Sequence, residues 1–179
     1  MPWQNEFFEI DLSQVPTPEL DSKWSTSKSY PREQQEQWIR DLHEAQRRMR
    51  EDGWRREDFD RIRHSSNHPE RSLGETYHKF YDHDQSGDRM NHDFIKVEWV
   101  GDHYEITNGQ HRIWLAKQHG LRTVPAHVAA RDQATLDQLR ADGERTARGP
   151  VRESPNRQPL WERGSTQEHE RGSNRHRER

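Results

Sequence analysis

Five adjacent polar residues, Asn108, Gly109, Gln110, His111 and Arg112, lie between a strand-like stretch and a helix-like stretch in the segment ITNGQHRIWLAKQHG. A glycine lets the backbone approach a ligand closely, and the N–H groups in the first turn of a helix attract negative charge. Arg112 could add a forked contact to phosphate oxygens, and His111 could add a hydrogen bond or a proton. The pattern therefore predicts a phosphate site. The alternative is a plain helix start, in which Asn108 is the N-cap and Arg112 a surface charge.

A second chemical possibility lies in the acidic loop DHDQSGDRMNHD, residues 82–93. Its oxygen side chains stand at the alternate positions that a calcium loop uses, with a glycine at the turn. The candidate ligands for Mg²⁺ or Ca²⁺ are Asp82, Asp84, Asp88 and Asp93. Against a metal, Arg89 replaces the apolar residue of such loops, and the following FIKVEWV has the pattern of a strand instead of an exiting helix. A solvated connector is the interpretation that we favour.

Other candidate catalytic groups are scattered along the chain. There are twelve histidines, but no pair has the HExxH spacing of a zinc protease, so surface positions are expected for all except His111. A catalytic base would have to lie near the 108–112 segment, and Glu75, Asp93 and Glu105 are the carboxylates considered for that role.

The periodicity of apolar residues predicts a mixed α/β fold with a small sheet. The expected strands are 8–12, 95–99, 104–106 and 124–128, and the expected helices are 38–49, 57–63, 73–81, 108–120 and 135–140. Strands 95–99 and 104–106 should form a β-hairpin around Gly101 and Asp102. Strand 104–106, helix 108–120 and strand 124–128 should form a strand–helix–strand unit with parallel strands and a right-handed crossover. The tryptophans should supply the main core anchors.

The stretch T-N-G-Q-H-R-x-x-x-A-x-x-x-G-L-x-x-V-P-A-x-V resembles the signature of the ParB/sulfiredoxin-like superfamily. The opening EIDLSQVP, the 38–49 helix and the hairpin IKVEWVGDHYEIT resemble the elements that precede this signature. The resemblance spans most of residues 7–130. It implies a ParB/sulfiredoxin-like domain over residues 1–145, with a helical segment inserted at about 54–91. Almost no apolar residue follows, which predicts a disordered Arg/Glu-rich tail at 146–179.

The resemblance also implies a function, whereas departures from the family pattern exclude sulfiredoxin chemistry and disfavour a clamp-type CTPase that loads at a DNA centromere. It implies that Gly109, Gln110, His111 and Arg112 bind the phosphate of a nucleotide or nucleic acid, with Arg112 as the clamp and His111 as an acid or hydrogen-bond donor. Gln110 stands where sulfiredoxins have their catalytic cysteine, and neither the second motif nor the helix-turn-helix domain of chromosome-partitioning ParB proteins is present. The expected activity is a nuclease or nucleotide hydrolase; the alternatives are a non-catalytic nucleotide-sensing or partner-binding module and a toxin-like effector of a polymorphic system.

Composition narrows the class of protein further. Only 27% of the residues are hydrophobic and 34% are charged, and cysteine is absent, which excludes thiol catalysis and disulfides. No apolar run reaches the roughly 20 residues of a membrane span, so a cytoplasmic protein without membrane partners is expected. The formal net charge is −3; residues 148–179 contain eight arginines and five glutamates, so the remainder carries −6. This acidic part disfavours non-specific binding to duplex DNA.

Overall fold

Nine helices and strands form a mixed α/β fold in the part of the chain that the computed structural model describes, residues 3–20, 30–82 and 94–149. The strands are β1 (Gln4–Asp11), β2 (Lys96–Trp99), β3 (Tyr104–Asn108) and β4 (Thr123–Ala130). The helices are α1 (Arg32–Glu51), α2 (Arg56–His64), α3 (Arg71–Tyr81), α4 (Gln110–Gln118) and α5 (Gln133–Arg148), and a single 3-10 turn covers Leu12–Gln14. Each expected helix and strand is therefore confirmed, although most are longer than their patterns indicated.

The four strands form one mixed sheet in the order β1-β4-β2-β3. The expected hairpin is confirmed, because β2 and β3 pair antiparallel. The expected parallel pairing of the strands on either side of α4 is wrong. Strand β4 pairs parallel with β2 and antiparallel with β1, so β3 and β4 run in opposite directions and are not neighbours. The parallel connection from β2 to β4 contains both β3 and α4.

The core is formed mainly by aliphatic side chains from β1, β2 and β4 and from the helices that cover them. Ile10 on β1, Val97 on β2 and Val124 on β4 are each at most 1% exposed, as is Ile113 on α4. The expectation that tryptophans anchor the core is wrong for the described residues. Trp3 is exposed, and the other four are only partly buried: Trp38, Trp54, Trp99 and Trp114. Their rings pack around the margin of the aliphatic core, where one edge of each can stay in water.

Helices α2 and α3 pack together beside α1, where the sequence predicted an inserted helical segment. A small second cluster joins them through Ala45, Phe59, Ile62 and Leu73. Gly74 permits the close approach, because a Cβ on it would lie 2.5 Å from the backbone oxygen of Phe59. The part of the expected insertion from residue 83 to its end lies outside the described residues.

Ion pairs on α1 join residues one helical turn apart. Arg48 Nε donates to Glu44 at 3.0 Å. Arg32 Nε donates to Glu36, also at 3.0 Å. The Glu44–Arg48 pair has the more favourable order, because its acid is nearer the N-terminus of the helix and its base nearer the C-terminus.

Helix α5 packs against the edge strand β1 and is longer than the apolar pattern predicted. Its N-cap is Asp132, whose carboxylate accepts a hydrogen bond from the Thr135 backbone N–H at 2.7 Å. It continues to Arg148, so the expected start of the tail at residue 146 falls within the helix. The rest of the expected tail, from residue 150, lies outside the described residues. No helix in the described ranges is long and apolar enough to cross a bilayer.

Candidate functional site

The 108–112 segment lies at the point where β3 ends and α4 begins. Gly109 is the N-cap of α4, with φ 99° and ψ 27° in the left-handed region. Asn108 is the last residue of β3, and its side-chain amide donates to the Phe94 backbone oxygen at 2.7 Å. This bond ties the end of β3 to the residues before β2. The alternative in which Asn108 is the N-cap is therefore wrong, because the N-cap of α4 is Gly109.

Gly109 is required here by conformation and by space. A side chain is strained at φ 99°. An added Cβ would also lie 3.0 Å from Ile95 Cγ1 and 3.3 Å from Arg112 Nη2. The backbone turn thus packs directly on Ile95 from one side, while the guanidinium of Arg112 folds back against it from the other.

Arg112 is buried, with only 7% of its surface exposed. This corrects the alternative in which Arg112 is a solvated surface charge. The buried guanidinium lies within the first turn of its own helix, so its positive charge adds to the field of the helix N-terminus. Gln110 is exposed and His111 is half-buried. A ligand that approaches the start of α4 from solvent would therefore meet Gln110 and His111 before Arg112.

The candidate metal loop is described only at its first residue. Asp82 accepts a hydrogen bond from Arg56 Nη2 at 2.9 Å and lies 2.6 Å from His78 Nδ1. Asp84, Asp88 and Asp93 lie outside the described residues. Elsewhere in the described ranges, no three histidine or acidic side chains are grouped in a way that could hold a metal ion.

Two of the three candidate bases, Glu75 and Glu105, lie in the described part of the chain. Glu75 on α3 pairs with Arg71 at 3.0 Å on the exposed side of that helix. Glu105 is exposed on β3 and faces Glu98 across the hairpin. Glu105 lies three positions before Asn108, which is about 10 Å along a strand. Asp93, the third candidate, lies outside the described residues.

A cleft that the sequence did not indicate lies at the opposite end of α4. It encloses about 440 Å³ between the end of β1, the end of α4 and the last turn of α5. Its lining consists of Asp11, Leu12, Ser13, Lys117, Gly120, Leu121, Arg122 and Thr146. These residues come from three separate parts of the chain and form no motif. The only signal in the sequence is the presence of two basic residues, Lys117 and Arg122, on either side of Gly120.

Protein-family models, curated proteins and solved structures were each compared with the chain, and none matches it. The resemblance of the 107–128 signature to ParB/sulfiredoxin-like proteins therefore stays a prediction from the sequence. The geometry of the start of α4 carries the functional argument by itself.

Proposed function

We propose that the protein binds the phosphate of a nucleotide or a nucleic acid at the start of α4, in the ParB-like manner that the sequence predicts. The observation that carries the proposal is the position of the Arg112 guanidinium against the turn at Gly109. The N-cap of the helix is a left-handed glycine, and a buried guanidinium lies against the same turn. Backbone N–H groups, the helix dipole and a fixed positive charge all favour an anion at this point.

In this proposal the residues of the segment have different roles. Exposed Gln110 and half-buried His111 contact the ligand, with His111 able to donate a hydrogen bond or a proton. Buried Arg112 stabilises the negative charge from behind the turn, where low exposure to water strengthens its field. In a hydrolase, the N–H groups that follow Gly109 would stabilise charge that develops on the phosphate.

The second candidate function is a non-catalytic nucleotide-sensing or partner-binding module. It is favoured by the position of the described carboxylates, because Glu75 pairs with Arg71 and Glu105 lies near the other end of β3. In such a module the 108–112 segment binds the same phosphate group without activating water. The toxin-like effector remains a biological setting in which either activity could operate.

The test is a calorimetric titration with a panel of nucleotides and short DNA, with and without Mg²⁺. Gln110→Glu places a negative charge on an exposed residue of the first turn, where the helix dipole tolerates it but a phosphate is repelled. We expect this variant to bind about tenfold or more weakly than wild type. Gln34→Glu is the matched control, since it makes the same change at an exposed position in the first turn of α1.

Two results would contradict the phosphate proposal: that wild type binds no phosphorylated ligand, or that Gln110→Glu and Gln34→Glu bind equally well. A turnover assay with the ligands that bind separates the two candidate functions. Hydrolysis that is lost in His111→Ala identifies an enzyme, whereas binding without turnover identifies the sensing module.

A further inference from the structure

The cleft at the far end of α4 presents two basic side chains, Lys117 and Arg122, beside two leucines, Leu12 and Leu121. Helix α4 has nine residues and so is about 13 Å long, at about 1.5 Å per residue. The cleft is therefore separated from Gly109 by the length of the helix. An inference about it does not depend on the proposed function.

Neither basic group in the cleft is paired with a carboxylate of the described residues. Lys117 Nζ donates to the backbone oxygen of Val15 and lies 3.4 Å from the hydroxyl of Thr17, both of which are neutral. Burial lowers the pKa of Lys117, because the ammonium is partly removed from water. The guanidinium of Arg122 forms no hydrogen bond or ion pair within the described ranges and lies against Gly149, where an added Cβ would be 2.8 Å from Nη1.

The single acid in the lining, Asp11, is already engaged by neutral donors. One of its carboxylate oxygens accepts from the Ser13 backbone N–H at 2.8 Å and from the Ser13 hydroxyl at 2.7 Å. The other oxygen accepts from the Thr146 hydroxyl at 2.8 Å. Asp11 thus fixes the wall of the cleft and does not neutralise either cation. The lining carries two positive charges and one negative charge, although the chain as a whole is negative.

We propose that this cleft is a second binding site, which takes a small ligand with a phosphate monoester group. Lys117 and Arg122 would contact the phosphate oxygens, and Leu12 and Leu121 would contact the carbon skeleton. Two cations suit a dianionic phosphate better than a singly charged carboxylate, and Arg122 can make two parallel hydrogen bonds to it. The volume of about 440 Å³ lies within the range of about 300–1,000 Å³ that is typical of small-molecule sites.

The test is an NMR titration of the full chain that follows the backbone amide signals of Gly120, Leu121 and Thr146. The probes are glycerol 3-phosphate, inorganic phosphate and acetate. We expect these amides to shift with the two phosphates and much less with acetate. In Arg122→Gln the Kd from these signals should rise about tenfold or more. Because Arg122 has no side-chain partner in the described ranges, the variant should keep the wild-type Tm.

Arg131→Gln is the matched control, since Arg131 is exposed, loses the same charge and has no described side-chain partner. We expect it to retain the wild-type Kd. The proposal is overturned if none of the probes shifts these amides, if acetate binds as well as the phosphates, or if Arg131→Gln and Arg122→Gln weaken binding equally. Shifts confined to residues 109–113 would contradict phosphate binding in the cleft and would support the proposed function. The experiment therefore distinguishes failure of one site from failure of the other.

Discussion

Gly109 and Arg112 depend on each other at the start of α4. The left-handed turn at Gly109 leaves room for the Arg112 guanidinium, and the guanidinium fills the space that a side chain on Gly109 would need. Ile95 closes the other side of the turn. The backbone N–H groups of the proposed phosphate site are therefore held by packing before any ligand binds, which reduces the entropy cost of binding.

Gly109→Ala tests this packing at the scale of one residue. We expect the variant to lose about 1–2 kcal/mol of unfolding free energy from the left-handed conformation. A further loss should come from the contact with Ile95 Cγ1, which a Cβ would approach to 3.0 Å. Urea unfolding followed by tryptophan fluorescence measures the difference.

Gly101→Ala is the control for the conformational part alone. Gly101 also has a positive φ, 112°, but a Cβ there would meet nothing within 4 Å. An equal loss of stability in the two variants would show that the Gly109 turn is not packed against Ile95 as described.

The sequence predicted which residues meet at this junction but not which of them are buried. Asn108 to Arg112 are all polar, and a pattern of polar residues gives no sign that one guanidinium turns inward. The burial of Arg112 depends on Ile95 and on the left-handed turn, which are set by the sheet and not by the motif. The Lys117–Arg122 cleft was missed for a similar reason, because its walls come from distant parts of the chain.

At the scale of the elements, α5 approaches the sheet closely at Gly143. Gly143 lies against the backbone of β1, where a Cβ would be only 1.8 Å from the Glu9 oxygen. Leu136 and Leu139 on the same helix are buried in the core. The helix can bury these leucines only because Gly143 lets its backbone rest on the strand.

Gly143→Ala should therefore destabilise the protein, although alanine is the better helix former. The clash requires α5 to move away from β1, which should cost about 1–3 kcal/mol of unfolding free energy. Helix propensity alone would give a gain of about 0.5–1 kcal/mol. The sign of the change in a thermal or urea unfolding experiment decides between these effects.

Ala141→Gly is the companion variant for Gly143→Ala. Ala141 is exposed on α5, so its replacement reports the propensity term without a change in packing. We expect a loss of about 0.5–1 kcal/mol there. The close contact between α5 and β1 would be contradicted if Gly143→Ala gained as much unfolding free energy as Ala141→Gly lost.

Local patterns were sufficient to predict the elements but not their arrangement. Alternation of apolar residues marked all four strands, because each has one face in the core. The predicted parallel pairing of β3 with β4 was wrong, although an α-helix between two strands usually joins parallel neighbours. Here β3 returns along β2 as a hairpin, so the chain enters α4 from the opposite direction and β4 inserts between β1 and β2.

At the scale of the whole molecule, Arg48 connects α1 with residues that lie just before α2 and α3. Glu44 accepts hydrogen bonds from Arg47 at 2.8 Å and from Arg48 at 3.0 Å. Arg48 in turn pairs with Glu70 before α3 and lies 4.6 Å from the ring centre of Trp54 before α2. The hydrogen bond from Arg47, with a smaller contribution from Arg48, holds the pKa of Glu44 at about 2, below its ordinary value of 4.5.

Protonation of Glu44 should lower the unfolding free energy of the protein in acid. A carboxylate whose pKa is lowered on folding stabilises the protein above its ordinary pKa, and this stabilisation is lost as the pH falls from about 4.5 to about 2. We expect Glu44→Gln to be less stable than wild type at pH 7 and to lose less stability across that acid range. Unfolding free energies measured by urea titration at several pH values provide the comparison.

Glu33→Gln is the control for the acid prediction. Glu33 is exposed in the first turn of α1 and forms no ion pair with a described residue. We expect its acid profile to follow that of wild type. If the unfolding free energies of wild type and Glu44→Gln fell in parallel as the pH was lowered, Glu44 would not contribute to the loss of stability in acid.

The order of the strands has a consequence for the newly made chain. β1 is an edge strand whose neighbour in the sheet is β4, so Ile10 must wait for Val124 to be synthesised before their strands can pair. Until then its apolar residues have no sheet to join. Closing so long a loop is entropically costly, and folding dominated by such distant contacts is slow. A ribosome-bound chain that ends before residue 123 should leave β1 open to proteolysis, and release of the full-length chain should protect it.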